Sequence, residues 1–222
     1  MSLLITVEGL DGTGKSTLVN ELVKTVTNNP AFHPWVYATK EPGSPWAATQ
    51  EIRELVLNRP DLKPIERELL FYADAAIHRR FIENQENAVI FSDRGMWSHL
   101  AYLRGYLKTG QIDHSVYDLC RKLIEQVCAK PDCVVYLRGD LDLMKKRLAG
   151  KPKDAIENNS ETFFAYVLET YEDLVTHHLW KGERVVILDA CHELDKLSKC
   201  AIEYIKGAFD AEQLKSGNTK LC

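Results

Sequence analysis

No stretch of this 222-residue chain is apolar for long enough to span a membrane, which takes about 20 consecutive residues. The opening MSLLITVEGLDG lacks the basic flank and long apolar run of a signal peptide and passes straight into a glycine turn. Positive charge is not in excess. A formal net charge of -4 argues against a general nucleic-acid coat, though not against a local basic patch around a phosphate. Internal repeats and low-complexity blocks are absent. Six cysteines (Cys120, Cys128, Cys133, Cys191, Cys200, Cys222) show no C-x-x-C motif and no paired metal-ligand spacing. They read as reduced thiols that behave as small hydrophobes. The expectation is a cytoplasmic chain with neither nucleic acid nor membrane as partner, long enough to bury a core without staples.

What is there is an alternation of short apolar strands and amphipathic helices. Strand-like runs fall at Leu3–Glu8, Trp35–Thr39, Ala88–Ser92, Cys133–Leu137 and Arg184–Leu188. Helical spacing marks Lys15–Thr27, Trp46–Leu57, Ile65–Asn84, Asp113–Ala129, Leu141–Leu148, Glu161–Leu179 and Leu194–Phe209. This order predicts an α/β three-layer fold with a five-stranded, mostly parallel sheet and helices on both faces. Residues 1–209 read as one domain carrying a small lid at about 147–160, and 210–222 as a polar tail. Ligands of such sheets sit at the carboxyl ends of strands. Attention therefore falls on Gly9–Ser16, Glu41–Gly43, Asp93–Arg94, Arg138–Asp140 and Asp189–Cys191, with Ala190 and Cys191 placed on the nucleotide.

The first strand end spells G-x-x-x-x-G-K-S, the P-loop pattern. Gly9, Gly12 and Gly14 permit a turn whose N–H groups face an anion, with Thr13 and Thr17 alongside. Lys15 brings a mobile charge to the β- and γ-phosphates of ATP. Ser16 offers its hydroxyl to Mg²⁺, and the following helix presents its positive end. A P-loop NTPase-type fold follows, but the loop alone does not choose between a kinase and a nucleotide switch.

Five stretches together resemble the thymidylate kinases, within the nucleoside monophosphate kinase family. They are VEGLDGTGKSTL around the loop, TKEPGS (Thr39–Ser44), LLFYADAAIH (Leu69–His78), SDRGMWSHLAY (Ser92–Tyr102) and DAIENNSETFFAYVLETY (Asp154–Tyr171). The likeness runs in unbroken order from residue 1 to about 205. It implies transfer of the γ-phosphoryl group of ATP to a deoxynucleoside monophosphate, dTMP first, by a homodimer packed through helices. On this resemblance Arg94 grips the acceptor phosphate, Asp93 holds a magnesium-bound water, and Asp11 lies near the acceptor's sugar hydroxyl. Glu41 and Pro42 form a tight, cis-compatible turn facing the acceptor. Phe71 stacks on the base, Tyr102 packs under the deoxyribose, and His99 stands near the acceptor. The basic residue missing ahead of Lys15 is expected from the lid, as Arg147, Lys151 or Lys153. Plainer readings stay open: an Asp93–Arg94 ion pair, Glu41-Pro42 as a surface turn, Phe71 and Tyr102 as core, Asp11 as a turn residue, His99 as a structural histidine, and the lid lysines as solvated.

Four positions depart from the family pattern. Ala75 replaces its base-reading Arg, Gly95 the Tyr of D-R-Y, His99 a Ser or Thr, and Ala155 the lid Arg. Arg79 or His78, on the same helix as Ala75, is the candidate to compensate. The alternatives are a broader deoxynucleoside monophosphate kinase, a deoxynucleoside kinase with Glu41 as base, and a P-loop switch that transfers nothing.

Overall fold

A computed structural model describes residues 2–28, 35–181 and 183–215. Five strands, β1 (Leu3–Glu8), β2 (Trp35–Lys40), β3 (Ala88–Asp93), β4 (Cys133–Arg138) and β5 (Val185–Asp189), form one sheet in the order β2-β3-β1-β4-β5. All four pairings are parallel. β1 is central and buried along its whole length, which is why LLITVE does not alternate with polar residues. Its register sets Val7 against Asp93 on one side and against Val135 on the other. The carboxyl ends of β1, β3 and β4 therefore finish close together, and the chemistry-bearing loops leave from one edge.

On one face lie α1 (Lys15–Thr27) and α8 (Leu194–Lys215), which share a core through Leu18, Leu22, Ala201 and Ile205. On the other, α4 (Met96–Lys108) and α7 (Glu161–Trp180) pack through Trp97, Tyr106, Phe163 and Tyr171. α3 (Pro64–Glu83) and α5 (His114–Val127) continue that layer around Tyr72, Leu103 and Ile124. The short helices α2 (Gln50–Leu57) and α6 (Leu141–Leu148) flank the strand ends. Asp113 and Asp140 cap α5 and α6, accepting from Val116 N at 2.9 Å and Leu143 N at 2.7 Å.

The three-layer parallel fold is as the patterning predicts. Three elements differ. α4 has no counterpart in the sequence reading, because MWSHLAYLRGYLK is buried nearly all round and shows no one-sided stripe. Gly105 lets α7 press against it: a Cβ there would meet Phe163 Cε2 at 2.8 Å. α2 begins at Gln50 rather than Trp46, since Trp46 Nε1 donates to Ala38 O at 2.7 Å and Ala48 sits at a φ of 53°. α8 continues to Lys215, past the expected end at Phe209, and residues 216–222 of the expected tail lie outside the described residues. No helix among the described residues is long and apolar enough to cross a membrane.

Candidate active site

The phosphate loop leaves β1 and enters α1 through Gly14, its N-cap, at a φ of 103°. Gly9 is there of necessity, since a Cβ would lie 2.5 Å from the Leu137 carbonyl oxygen of β4. Thr13 Oγ1 closes the turn onto Leu10 O at 2.8 Å. Lys15 Nζ donates to the same carbonyl at 2.7 Å and stands 4.0 Å from Asp11. Burial, helped by the charge of Arg94, brings the Lys15 ammonium down to about 8, against the opposing pull of Asp11. Ser16 Oγ donates to Asp93 Oδ2, and Asp93 Oδ1 is buried with no hydrogen-bond partner. Thr17 lines the same cleft, a space of about 580 Å³ that also takes in Gly12, Gly14, Lys40, Arg94, Arg147 and Lys151.

Arg147 is already committed. Its guanidinium donates to Gly12 O at 3.2 Å, Thr13 O at 2.8 Å and Ala190 O at 2.9 Å, tying α6 to the phosphate loop and to the end of β5. Beside it, Cys191 N donates to Asp189 Oδ1 at 2.8 Å, forming the turn that carries Ala190 and Cys191. Lys151 and Lys153 are exposed and hydrogen-bond to no described residue through their side chains. Lys151 lines the cleft, whereas Lys153 stands outside it.

Arg94 is the hub between this cleft and a second cavity. Its backbone has a φ of 76°, an uncommon conformation for a residue with a side chain and one that clusters at functional sites. Nη1 donates to Gly9 O at 3.2 Å, Ser98 Oγ at 2.9 Å and Tyr171 OH at 3.2 Å. Nη2 pairs with Asp11 Oδ1, and Tyr102 OH donates to Asp11 Oδ2 at 2.6 Å. Burial pushes the Asp11 carboxyl up, but Arg94 and Lys15 outweigh it and hold it well below the usual carboxylate range. Nearby, Glu8 Oε2 accepts from Ser98 Oγ at 2.5 Å while Oε1 has no partner, and burial lifts this carboxyl to about 7.

The second cavity lies where α3, α4 and the loop after β2 meet. Asp11, Glu41, Pro42, Phe71, Arg94, His99 and Tyr102, all named from the sequence, line it together. The Glu41–Pro42 peptide is cis. Asp74 Oδ2 of α3 holds the loop by accepting from Gly43 N at 2.7 Å. Glu41 lies between two histidines, 2.7 Å from His78 Nδ1 and 2.9 Å from His99 Nε2. Burial raises this carboxyl, but the two hydrogen bonds prevail and draw it down to about 2. His99 moves the opposite way: burial lowers it, and Glu41 more than restores it. The cavity measures only about 70 Å³, against roughly 300–1,000 Å³ for an ordinary small-molecule site. The lid fills it. Asp154 and Ile156 line it, Ala155 N donates to Leu57 O at 3.2 Å, and Arg67 Nη1 donates to Ala155 O at 3.3 Å.

Two expectations are corrected here. Arg79 does not face the acceptor cavity: it donates to Glu83 Oε1 at 2.7 Å and Gln126 O at 2.6 Å, on the far side of α3. His78 is consumed by Glu41 and by Thr39 Oγ1 at 3.0 Å. The departure at Gly95 has a packing reason, since a Cβ there would meet Thr6 Cγ2 at 2.8 Å. Sequence reasoning missed Arg53, which lines both cavities and donates to Pro42 O at 3.2 Å, and it missed Glu68. Arg53 follows the Glu41–Gly43 turn on the next amphipathic helix, a signal that was legible. Ser98 and Tyr171, further partners of Arg94, lie within two of the stretches that carry the resemblance, but nothing in the sequence ties either to Arg94.

A family model described as Thymidylate kinase matches residues 7–200 of the chain. A thymidylate kinase from Campylobacter jejuni is 28% identical over 211 residues, covering 92% of this chain and all of that protein. A thymidylate kinase from a Sulfurovum species is 28% identical over 206 residues, and a probable thymidylate kinase from Sulfurisphaera tokodaii is 29% identical over 208. Among solved structures, a deoxyadenosine kinase from M. mycoides, with dCMP product and a flexible dCDP bound, superposes with a TM-score of 0.71. It is 17% identical and covers 92% of this chain and 99% of its own, a likeness of fold alone.

Proposed function

This chain belongs to the thymidylate kinase family, a family of nucleoside monophosphate kinases, and we propose that it moves the γ-phosphoryl group of ATP onto dTMP. The observation that carries this reading is the position of Arg94. It stands where the donor cleft and the acceptor cavity meet, with its guanidinium oriented by Asp11, Ser98 and Tyr171. Two polyanions must be brought together for this reaction, so positioning and charge neutralisation supply most of the catalysis. Arg94 supplies a planar fork for the acceptor phosphate. Lys15 meets the donor phosphates, and its ammonium gains charge-stabilising partners when they arrive.

Ser16 Oγ and the two oxygens of Asp93, one of them buried and unpartnered, form a small oxygen donor set that fits Mg²⁺. Bound there, the ion would neutralise charge on the β- and γ-phosphates. Arg147 holds the loop and the Ala190 turn as one surface for the nucleotide. Lys151, which lines the cleft and makes no side-chain hydrogen bond to a described residue, is the lid cation left to meet the transferring phosphate. The acceptor enters only when the segment around Asp154–Ile156 leaves the cavity, so lid opening gates turnover.

The nucleoside-kinase alternative needs Glu41 as a general base. Glu41 is buried, held by two histidines and drawn down to about 2, a poor proton acceptor at neutral pH. A homodimer is proposed through α3 and α5, which leave Leu69 and Leu119 exposed at 51% and 59%; sedimentation at micromolar concentration tests it. Free thiols at all five described cysteines agree with a cytoplasmic site of action. The test of the activity is ADP release from Mg·ATP against dTMP, dUMP, dGMP, dAMP, the ribose monophosphates and thymidine. Turnover with dTMP and none with thymidine supports the reading. Turnover with thymidine and none with any monophosphate overturns it.

A further inference from the structure

One buried group in the acceptor cavity has no role in the scheme above. Glu68 is 3% exposed and lies on α3 one turn before Phe71 and two turns before Ala75, so the three share a helix face. It lines the cavity with Phe71, His99 and Tyr106. Its Oε2 is buried without a hydrogen-bond partner, whereas nearly all buried polar atoms in folded proteins have one. A group left unsatisfied on the wall of a binding cavity calls for a partner that arrives with the ligand.

Arg67 Nε and the Tyr72 hydroxyl, on the same helix, are also buried without a hydrogen-bond partner, but of these three groups Glu68 is the one that lines the cavity. Ala75 offers no polar atom. Ala155 O and Pro60 O take the two terminal nitrogens of Arg67, and Arg79 pairs with Glu83. His99 Nε2 is occupied by Glu41. With the acceptor phosphate at Arg94, the base is left to the rest of the lining, which includes Phe71 and Glu68.

Resting on the reading of the acceptor as a pyrimidine deoxynucleotide, we propose that Glu68 reads the base edge at N3 and C4, and that it admits dCMP as well as dTMP. A carboxylic acid carries a donor and an acceptor side by side. Against thymine it donates to O4 and accepts from N3–H. Against cytosine the proton sits on the other oxygen, which donates to N3 while its neighbour accepts from the N4 amino group. An Arg at position 75 would offer donors only and would reject that amino group; Ala75 removes the exclusion. Burial pushes the Glu68 carboxyl up, against smaller downward pulls from His99, Tyr72 and Arg67, which favours the protonated form this pairing uses.

The experiment is kcat/KM for dTMP and dCMP, with Mg·ATP as donor, in the wild type, Glu68→Met and Glu68→Gln. Wild-type values within about tenfold of each other are expected. Glu68→Met should lower both by about 10–100-fold, since a site built to hydrogen-bond a base loses its partner. The same substitution should raise the thermal midpoint by about 2–4 °C, because an unsatisfied polar group leaves the interior. A merely structural carboxyl would lower it. Glu68→Gln, whose amide also carries a donor and an acceptor and turns either way, should restore both substrates; this variant decides the matter if the methionine protein does not fold. A wild type that prefers dTMP by more than 1000-fold overturns this inference and leaves the thymidylate reading intact. Use of dCMP alone overturns both, and unchanged substrate use in Glu68→Met overturns the inference.

Discussion

The two halves of the site are built from different material. The donor cleft is made of backbone: glycines at fixed positions, a helix N-terminus and carbonyls clamped by Arg147, with about 580 Å³ open beside them. The acceptor cavity is made of side chains from α2, α3, α4, the lid and the loops after β1, β2 and β3, and only about 70 Å³ of it is open. Backbone geometry is set by a few adjacent residues and tolerates change elsewhere. A side-chain cavity depends on every element that contributes to it, so this is where one family member departs from another. Ala75, Gly95, His99 and Ala155, the four departures, all belong to the acceptor side or to the lid over it.

That contrast is open to experiment. Lys15→Ala should cost the most, lowering kcat by about 10³-fold with any acceptor, because it removes preorganised charge from the transferring phosphate. In the wild type, the Lys15 ammonium at about 8 implies that the KM for ATP is steady below that pH and climbs above it, as the charged form is lost. Arg94→Ala should lower kcat/KM for the acceptor by about 10²-fold while leaving the KM for ATP within about twofold. If both substrates suffered alike, the division into two halves would be wrong. Arg147→Ala should do the reverse, raising the KM for ATP about tenfold with the acceptor's KM unchanged, since three backbone anchors of the donor surface are lost.

The smallest effect concerns stability rather than turnover. Burial raises Glu8 to about 7 in the folded protein, above its ordinary 4.5. A raised carboxyl contributes stability that is fully present below its unfolded value and is lost as pH rises through the folded one. Glu8→Gln, which can still accept from Ser98, should therefore stabilise the protein at pH 8 by about 1–3 kcal/mol and by little at pH 5. Urea midpoints at the two pH values check it.

Legibility in the sequence follows the same division. The phosphate loop, the five strands and the parallel sheet rest on local spacing and apolar runs, and all stand where the residues predict. Helix α4 was hidden because burial on nearly every side erases the stripe that marks a helix. Arg94, Asp11 and Tyr102 could be named from their motifs, but their mutual hydrogen bonds join β3, the phosphate loop and α4, a matter of tertiary structure. Arg79 shows the limit in the other direction. Four residues beyond Ala75, its spacing makes it a neighbour on the same helix face, yet its guanidinium reaches Gln126 O on α5 instead. Glu68 had no signal at all, since a glutamate on a helix is ordinarily solvated and only the fold places this one inside.

The central claim is that Arg94 binds an acceptor phosphate, and the most direct test is a calorimetric titration of the wild-type protein with dTMP and with thymidine. The account predicts that dTMP binds at least about 100-fold more tightly, the worth of a charge-assisted, bidentate phosphate contact. Equal affinity for the two, or tighter binding of thymidine, would contradict it and return the acceptor cavity to a nucleoside.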